Sequence, residues 1–310
     1  MNEYHVPVLL AECLEALDLQ DSKVYVDATF GGGGHSTKIL ESGKVIKLFG
    51  VDQDPDSIEQ SKKLKEMYPE KFVMIKENFA NIRTGLALER IRKVDGILFD
   101  LGVSSHQIND PARGFSFRGD GDLNMRMDQD SQLTAGDVVN TYSFEDLARI
   151  FREYGEEKEA ARIANNIILE RSKKEIKTTL QLSTIIENCI ISKKSIKAKA
   201  RIFQALRIYI NKEMEVLKTA LNDSIKILNP GGKIVVISYH SLEDRIVKNI
   251  FRYEAKSCIC PPEFPQCVCD KVSTLKIISR KPVVPTLSEI ENNPRARSAK
   301  LRIAQKREVS

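Results

Sequence analysis

Residues 24–36 have the sequence Val-Tyr-Val-Asp-Ala-Thr-Phe-Gly-Gly-Gly-Gly-His-Ser. The apolar run that ends in Asp27 is typical of a buried strand, and the four glycines predict a loop whose backbone closely approaches another group. A second apolar run, Leu-Phe-Gly-Val at residues 48–51, ends in Asp52. An acid about 20 residues past a glycine loop can bind ribose hydroxyls in a strand–helix–strand nucleotide fold. The sequence therefore predicts a site for a nucleoside-containing cofactor.

Two phosphate-binding motifs are missing from this region. The spacing G-x-G-x-x-G fails because the count from either of the first two glycines ends on a serine or a threonine. The Walker loop fails because residues 43–45 are Gly-Lys-Val, without the required Ser or Thr. A glycine loop with a ribose acid but no phosphate motif favours S-adenosylmethionine, which carries no phosphate. The alternative is a tight turn in an unrelated α/β protein.

The composition is that of an ordinary soluble protein. Of the 310 residues 42% are apolar and 29% charged, and the net charge of +5 permits a polyanionic partner without requiring one. No run of about 18 apolar residues is present to span a membrane. The first residues lack a basic segment followed by an apolar core, so the sequence predicts a cytoplasmic protein.

Strand and helix patterns alternate over the first hundred residues. A helix is predicted at 57–67, and further strands at 72–75 and 94–100. This alternation predicts the α/β class, with a doubly wound parallel sheet and helices on both faces. Ligands bind at the carboxyl ends of such strands. The residues predicted there are Asp27, Asp52, Phe79 and Asp100.

The pattern changes in the middle of the chain. Residues 105–128 predict an irregular loop rich in Gly, Asp, Arg and Asn, and residues 135–199 predict helices. The predicted domains are the first part of the α/β domain at 1–106, an inserted loop and helical subdomain at 107–202, and the second part of the α/β domain at 203–310.

The second part of the sheet begins with a predicted long helix. Its apolar stripe runs from Phe203 to Leu228, and residues 229–232, Asn-Pro-Gly-Gly, predict its end. A strand follows at 233–238. Ser241 and Asp244 are spaced as a capping box for the next helix. The last strands are predicted at 275–279 and 300–304.

A basic run marks the end of the insert. A solvated helix face and a nucleic-acid contact both fit such a run. Its members are Lys193, Lys194, Lys197, Lys199, Arg201 and Arg207.

Four of the six cysteines are clustered. They are Cys258, Cys260, Cys267 and Cys269, with prolines between the two pairs. In a cytosolic protein such a cluster suggests a metal such as zinc rather than disulfides. The C-x-C spacing departs from the usual C-x-x-C of zinc ribbons, so a reduced surface loop is the alternative. Cys13 and Cys189 stand alone in apolar helices and predict buried, inert thiols.

Several separated blocks together resemble one known family. They are residues 5–10 (His-Val-Pro-Val-Leu-Leu), 27–36, 100–105 (Asp-Leu-Gly-Val-Ser-Ser), 113–117 (Arg-Gly-Phe-Ser-Phe), 203–207 (Phe-Gln-Ala-Leu-Arg), 238–245 and 293–298 (Asn-Pro-Arg-Ala-Arg-Ser). With these blocks the chain resembles the bacterial cytosine-N4 methyltransferases of small-subunit (16S) ribosomal RNA. The resemblance spans nearly the whole chain and implies a Rossmann-like methyltransferase sheet.

The resemblance also implies residue roles. Gly33, Gly34 and His35 would contact S-adenosylmethionine, and Asp52 would hold its ribose. Phe79, Asp100 and Gln107 would complete the pocket. The implied partner is small-subunit ribosomal RNA or the assembled subunit.

Three positions depart from the family pattern. Asp122 replaces a proline and Asn124 replaces an aspartate, so a carboxylate at 124 is not the general base of this chain. Tyr239 stands where the family commonly has phenylalanine.

The chemistry of the reaction limits the candidate catalytic groups. The N4 amine of cytosine is a weak nucleophile, so positioning should supply much of the rate. Its proton needs an acceptor, for which Asp100 or a backbone carbonyl of residues 101–104 is a candidate. His240 either lines the pocket or belongs to the helix cap beside it.

Cytosine must be unstacked to react, so the enzyme should also hold a splayed-out nucleotide. The loop at 106–128 offers cations and aromatic rings for this, and a second basic patch lies further along the chain. The residues concerned are Arg113, Phe115, Phe117, Arg118 and Arg126 in the loop, and Arg295 and Arg297 in the patch.

Two other function classes fit the sequence less well. A non-catalytic nucleotide-binding scaffold is disfavoured because Asp52 and Asp100 are both present. A DNA amine methyltransferase would carry Asn- or Asp-Pro-Pro-Tyr after the fourth strand, whereas residues 100–103 are Asp-Leu-Gly-Val.

Overall fold

The computed structural model describes residues 7–190, 195–264 and 266–308. Contacts divide the chain into two units. The first unit is Met1–Gly102 with Met214–Ser310, and the second is Val103–Glu213. The predicted boundary between 202 and 203 falls inside a helix that belongs wholly to the second unit.

The strands, in chain order, are β1 (Lys23–Asp27), β2 (Val45–Asp52), β3 (Phe72–Lys76), β4 (Val94–Asp100), β5 (Leu228–Ser238), β6 (Leu275–Ile277) and β7 (Lys300–Lys306). The helices are α1 (Leu10–Leu17), α2 (Gly34–Glu41), α3 (Pro55–Met67), α4 (Ile82–Leu88), α5 (Ser105–Asn109), α6 (Ala135–Thr141), α7 (Phe144–Glu153), α8 (Ala160–Lys173), α9 (Thr179–Cys189), α10 (Ser195–Ile210), α11 (Glu213–Ile227), α12 (Ser241–Glu254) and α13 (Leu287–Asn292).

The strands of the first unit form one sheet in the order β3-β2-β1-β4-β5-β7-β6. Neighbours from β3 through β5 pair in parallel, and β7 pairs antiparallel with both β5 and β6. The α/β fold is confirmed, but the sheet is mixed rather than wholly parallel. The strand order reverses between β1 and β4, and ligands bind at the carboxyl ends of strands beside such a reversal.

Helices cover both faces of this sheet. Along β1 the side chain of Tyr25 lies in one apolar cluster and that of Val26 in another, because successive strand residues point to opposite faces. The cluster around Tyr25 includes residues of α1 and α2, and the cluster around Val26 includes residues of α4, α11 and α12. This confirms the predicted doubly wound arrangement.

The second unit has its own apolar core. Phe151 of α7, Ile163 of α8, Ile186 of α9 and Leu206 of α10 are buried together there. The part predicted as one irregular loop also contains the short helix α5 and a 3₁₀ turn at Pro111–Arg113. The insert is therefore helical, as predicted, and its start is more ordered than its composition suggested.

The predicted single helix at 203–228 is wrong. It consists of α10 and α11, and Lys212 between them has a φ of 49°, which a helix cannot continue through. The side chain of Asn211 binds the backbone at Met125 and Met127. Residues 229–232, predicted to stop the helix, are the first part of β5.

Among the described residues, no helix combines the length and the apolar character needed to cross a membrane.

Candidate cofactor site at the carboxyl edge of the sheet

The glycine loop turns sharply between β1 and α2. Gly33 has a φ of 73°, and a Cβ there would lie 2.6 Å from the ring of Phe30, so glycine is required. Gly34 begins α2, and a Cβ there would lie 2.6 Å from Pro7. At exposed Gly32, by contrast, a Cβ would meet no described atom within 4 Å. The protein itself packs against Gly33 and Gly34, and the open side of the loop is at Gly32.

Asp52 at the end of β2 anchors this loop. Its Oδ2 accepts a hydrogen bond from Gly31 N at 2.8 Å, and its Oδ1 accepts one from Asp54 N at 2.9 Å. Burial raises the pKa of Asp52, and the two amides and the hydroxyl of Ser57 offset only part of the rise. A carboxylate has about four acceptor positions, and Asp52 is only half-buried. It therefore keeps capacity to accept hydrogen bonds from ligand hydroxyls, as a bound ribose requires.

Asp27 at the end of β1 is the most enclosed of the strand-end acids. It is 1% exposed, and its Oδ2 accepts a hydrogen bond from the Ser36 hydroxyl at 2.7 Å. Burial raises the pKa of Asp27, and the nearby charge of Asp100 raises it further. Asp27 thus fixes the first turn of α2 from inside the protein.

Asp100 at the end of β4 holds the loop from the other side. Its backbone N–H donates to the Thr29 hydroxyl at 2.6 Å. Its carboxylate Oδ1 accepts a hydrogen bond from the Tyr239 hydroxyl at 2.7 Å, and the side chain remains 25% exposed. Burial raises the pKa of Asp100, and His35 and Tyr239 lower it in part.

His35 lies between the N-terminal segment and Asp100. The Nε2 of His35 lies 3.2 Å from the carbonyl oxygen of Val8, which can only accept, so Nε2 is the donor. The Nδ1 of His35 lies 3.7 Å from Asp100 Oδ2. His35 thus connects Val8 with the acid at the end of β4.

Phe79 lies at the same edge. It begins a 3₁₀ turn at Phe79–Asn81 after β3, and its ring packs edge-on against Phe99 with centroids 5.8 Å apart. The ring is half-buried, so one part supports the sheet and another part meets solvent.

The structure brings most of the predicted cofactor residues together in the first unit: Gly33, Gly34, His35, Asp52, Phe79 and Asp100. Gln107 belongs to the second unit. There its Oε1 accepts a hydrogen bond from Ser104 N at 2.9 Å and forms the capping box of α5. Its place in the cofactor pocket stays a prediction from the resemblance.

Several side chains of the predicted RNA-binding loop make contacts within the second unit. Arg113 is 4% exposed and donates to the carbonyls of Arg126 and Met127. Phe117 packs edge-on against Phe203 within the second unit, whereas Arg118 is exposed. Of these three, Arg118 is thus the one placed to contact phosphate.

The basic run is also partly committed to ion pairs within the second unit. Lys199 pairs with Glu187 at 2.6 Å, Arg201 with Glu157 at 3.4 Å, and Arg207 with Glu213 at 2.7 Å. Lys197 is exposed, and Lys193 and Lys194 lie outside the described residues. The run presents less positive charge to a polyanion than its sequence suggested.

The predicted cap at Ser241 is wrong by one residue. His240 is the N-cap of α12, its Nδ1 accepts from Glu243 N, and Glu243 Oε2 accepts in return from His240 N at 3.3 Å. Asp244 instead binds the Arg302 guanidinium at 2.6 and 3.1 Å. Of the two interpretations of His240, the structure supports the helix cap.

Three residues of this edge were not assigned a role from the sequence. Thr29 and Tyr239 form hydrogen bonds with Asp100, and Ser36 forms one with Asp27. The only available signal was position, because each lies within a few residues of a strand end. Sequence spacing does not show that their hydroxyls point at carboxylates.

A glycine loop, an acid with spare acceptor capacity and a half-exposed aromatic ring together define a class: an α/β protein with a nucleoside-cofactor site at the edge of its sheet. The model of the MraW methylase family matches residues 2–307. The chain therefore belongs to the MraW methylase family, and it is a methyltransferase whose cofactor is S-adenosylmethionine.

Relatives of known name match along nearly their whole length. Those from Finegoldia magna, Halothermothrix orenii and Clostridioides difficile are each called ribosomal RNA small subunit methyltransferase H. The Finegoldia magna protein is 50% identical over 99% of this chain and 99% of its own length. The Halothermothrix orenii protein is 51% identical over 97% of this chain and 98% of its own length. The Clostridioides difficile protein is 47% identical over 99% of this chain and 100% of its own length.

A solved rRNA methylase from Streptococcus thermophilus is a far weaker match. Its TM-score is 0.43 at 10% identity, with 98% of this chain and 100% of that one covered.

Proposed function

We propose that this chain transfers the methyl group of S-adenosylmethionine to the N4 amine of a cytidine in small-subunit ribosomal RNA. The observation that carries the proposal is the arrangement of Asp52, the glycine loop and Asp100 around the reversal point of the sheet. Relatives named as small-subunit RNA methyltransferases, about half identical over their full length, support the choice of substrate.

The cofactor would lie along the open side of the glycine loop. S-adenosylmethionine supplies an electrophilic methyl group on a positively charged sulfur. Asp52 would hold the ribose by accepting a hydrogen bond from a hydroxyl, using the capacity that Gly31, Asp54 and Ser57 leave free. In α2 no described side chain caps the first turn, so its amides can face a carboxylate of the cofactor. Asp27 and Asp100 add negative charge that favours a cationic ligand.

Asp100 is the proposed proton acceptor. Methyl transfer forms a bond from the cytosine nitrogen to the methyl carbon and breaks the carbon–sulfur bond, so that S-adenosylhomocysteine leaves. The nitrogen must then lose a proton, and a carboxylate whose pKa is raised is a better base near neutral pH. Burial raises the pKa of Asp100, its side chain keeps 25% exposure, and Tyr239 fixes Oδ1. Oδ2 lies 3.7 Å from the Nδ1 of His35.

The RNA must present its cytidine outside the stack, whether as free RNA or in the assembled subunit. Arg118 of the second unit and Arg297 of the first are exposed and suited to contact phosphate. Arg295 is half-buried, and burial lowers its pKa. We propose Arg118 and Arg297 as positioning contacts that carry no sequence information.

The proposal is tested with Asp52→Asn, which removes the charge but keeps the shape of the side chain. Charged hydrogen bonds of this kind are worth about 1.5–3 kcal/mol, so affinity for S-adenosylmethionine in calorimetry should fall about 10- to 150-fold. Glu59→Gln is the control, because it removes one charge from an exposed ion pair on α3 and should leave affinity unchanged.

The product is checked by mass spectrometry of nucleosides from small-subunit RNA or subunits incubated with enzyme and cofactor. N4-methylcytidine should appear with the parent protein. A different methylated nucleoside would contradict the proposed target. Binding of NAD or ATP, with S-adenosylmethionine ignored, would favour the nucleotide-scaffold alternative.

A further inference from the structure

The cysteine cluster lies in the first unit, between α12 and β6 and outside the cofactor site. All four cysteines carry free thiols, and their sulfur atoms lie within 4.8 Å of one another. Three of the separations are 3.5 Å for Cys267–Cys269, 3.9 Å for Cys269–Cys258 and 4.0 Å for Cys260–Cys267. For a tetrahedron with zinc–sulfur bonds of about 2.3 Å, the sulfur–sulfur edge is about 3.8 Å.

Backbone amides support the sulfur atoms. Ile259 N donates to Cys269 Sγ at 3.3 Å, and Val268 N donates to Cys260 Sγ at 3.4 Å. Cys260 N donates to Cys258 Sγ, also at 3.4 Å. Donated hydrogen bonds stabilise the thiolate form, and such contacts orient and tune metal-binding sulfurs.

Apolar packing does not explain why the four thiols converge. The large apolar side chains between them face solvent, with Ile259 44%, Phe264 52% and Val268 68% exposed. Cys258 and Cys267 are themselves exposed. A segment without a core needs another source of order, and a bound metal ion supplies it in small metal-binding loops.

The base of the segment is firmly closed. The hydroxyl of Ser273 donates to the Ala255 carbonyl at 3.0 Å, and Thr274 N donates to the Glu254 carbonyl at 2.8 Å. The ammonium of Lys271 lies 3.4 Å from the Glu254 carboxylate. These contacts fix both ends of the segment on the end of α12, so the two C-x-C pairs face each other on a short hairpin-like loop.

We propose that Cys258, Cys260, Cys267 and Cys269 bind one zinc ion in a closed tetrathiolate site that orders residues 258–269. Four protein ligands leave no open position on the metal, so its role is structural rather than catalytic. The proposal does not depend on the methyl-transfer function.

The first test is metal analysis of the full-length chain, purified under reducing conditions without a histidine tag. We expect about one zinc per chain, and a marked loss of zinc in Cys267→Ser. Cys189→Ser is the matched control: this thiol is buried in the second unit and donates to the Ile185 carbonyl at 3.0 Å, which a serine hydroxyl can also do. The control should keep its zinc.

Cobalt(II) replacement gives a second, spectroscopic measurement. The parent and Cys189→Ser should show the intense visible bands of tetrahedral cobalt with sulfur-to-metal charge transfer, and Cys267→Ser should lose or change them. Limited proteolysis should find new cleavage within 258–269 once zinc is removed.

Three results would each overturn the proposal. One is reduced protein that contains no zinc and takes none up on titration. Another is iron in place of zinc, and the third is a zinc content that Cys267→Ser leaves unchanged.

Discussion

Strand β4 carries an aspartate near each end, and the two aspartates differ in their hydrogen-bond partners and in the direction of their pKa shifts. Asp95 accepts hydrogen bonds from Val24 N at 3.0 Å, Asn229 Nδ2 at 2.9 Å and Lys23 Nζ at 3.3 Å. Burial raises its pKa, but these donors and the lysine charge outweigh burial and hold the pKa below its usual value. At Asp100 the hydroxyl of Tyr239 and the charge of His35 do not outweigh burial, and the pKa is raised.

Solvent exposure does not explain the opposite pKa shifts, because the side chain of Asp95 is 15% exposed and that of Asp100 is 25% exposed. The two aspartates differ instead in the groups that surround them. Asp95 is supplied with donors and a cation, as an acid that joins strands should be. Arg302 lowers the pKa of Asp244 in the same way, although Asp244 follows the carboxyl end of β5. Asp27, Asp52 and Asp100 all have raised pKa values at the opposite edge. We call the carboxyl edge with these three acids the reactive edge, following its proposed function, and the edge at Asp95 the stabilising edge.

The largest expected effect comes from the matched pair Asp100→Asn and Asp95→Asn. Asp100→Asn should lower the rate of methyl transfer about 10²- to 10⁴-fold, since it removes the proton acceptor. Its free energy of unfolding at pH 7 should be unchanged or higher, because a raised folded-state pKa means that the fold disfavours the ionised form. Single-turnover kinetics and urea unfolding measure the two effects.

Asp95→Asn should behave in the opposite way. Its folded-state pKa is lowered, so its contribution to stability is present above the unfolded-state pKa and is lost as pH falls through the folded-state value. At pH 7 the variant should lose about 1–2 kcal/mol of unfolding free energy and keep its methyl-transfer rate. If Asp100→Asn destabilised the protein as much as Asp95→Asn, the two edges would not differ as described.

Tyr239→Phe sharpens the comparison from the reactive side. The hydroxyl of Tyr239 lowers the pKa of Asp100, so its removal should raise that pKa further. Because the ionised form accepts the proton, the rate falls as pH drops through this pKa, and the acidic limb of the pH–rate profile should move to higher pH. The fold should be kept, since phenylalanine retains the ring and removes only the hydroxyl. An acidic limb that stays in place would show that Asp100 is not the group being titrated.

The smallest expected effect concerns the second unit, where an exposed lysine is compared with a lysine held in an ion pair. Lys197 is exposed, whereas Lys199 is 12% exposed and bound to Glu187. Lys197→Gln should weaken RNA binding and reduce the slope of log affinity against log salt by about 0.7–0.9, as loss of one phosphate contact does. Lys199→Gln should change neither the slope nor cofactor affinity. Equal slopes in both variants and the parent would mean that this helix face is only solvated.

The reactive edge was predictable because its signals are local. Each strand ending in an acid shows in a few consecutive residues, so Asp52 and Asp100 could be placed before the structure was known. The glycine loop is equally local, although its reason differed: Gly33 is required by Phe30 rather than by a ligand. A feature that depends only on consecutive residues of one element can therefore be predicted from the sequence.

The remaining features depend on residues far apart in the chain. The insertion of β7 between β5 and β6, and its antiparallel direction, leave no mark on the pattern of any one strand. Glu157, Glu187 and Glu213 neutralise part of the basic run only after folding brings them near it. The break at Lys212 follows Asn211, whose side chain is bound to the loop around Met125, and periodicity shows neither feature.

The sheet order has a consequence for how the chain is made. During synthesis the outer edge of β4 stays unpaired until β5, which begins at Leu228, has been made. The outer edge of β5 stays unpaired until β7, which ends at Lys306, has been made. At about 5–20 residues per second, synthesis from Asp100 to Lys306 takes about 10–40 s. The second unit, with its own core, is complete before either partner strand exists. Proteolysis of ribosome-bound chains stalled before Leu228 should therefore find the inserted unit protected and β4 open to cleavage. The newborn protein spends much of its synthesis with an unpaired strand edge, which makes this interval its time of greatest risk for aggregation.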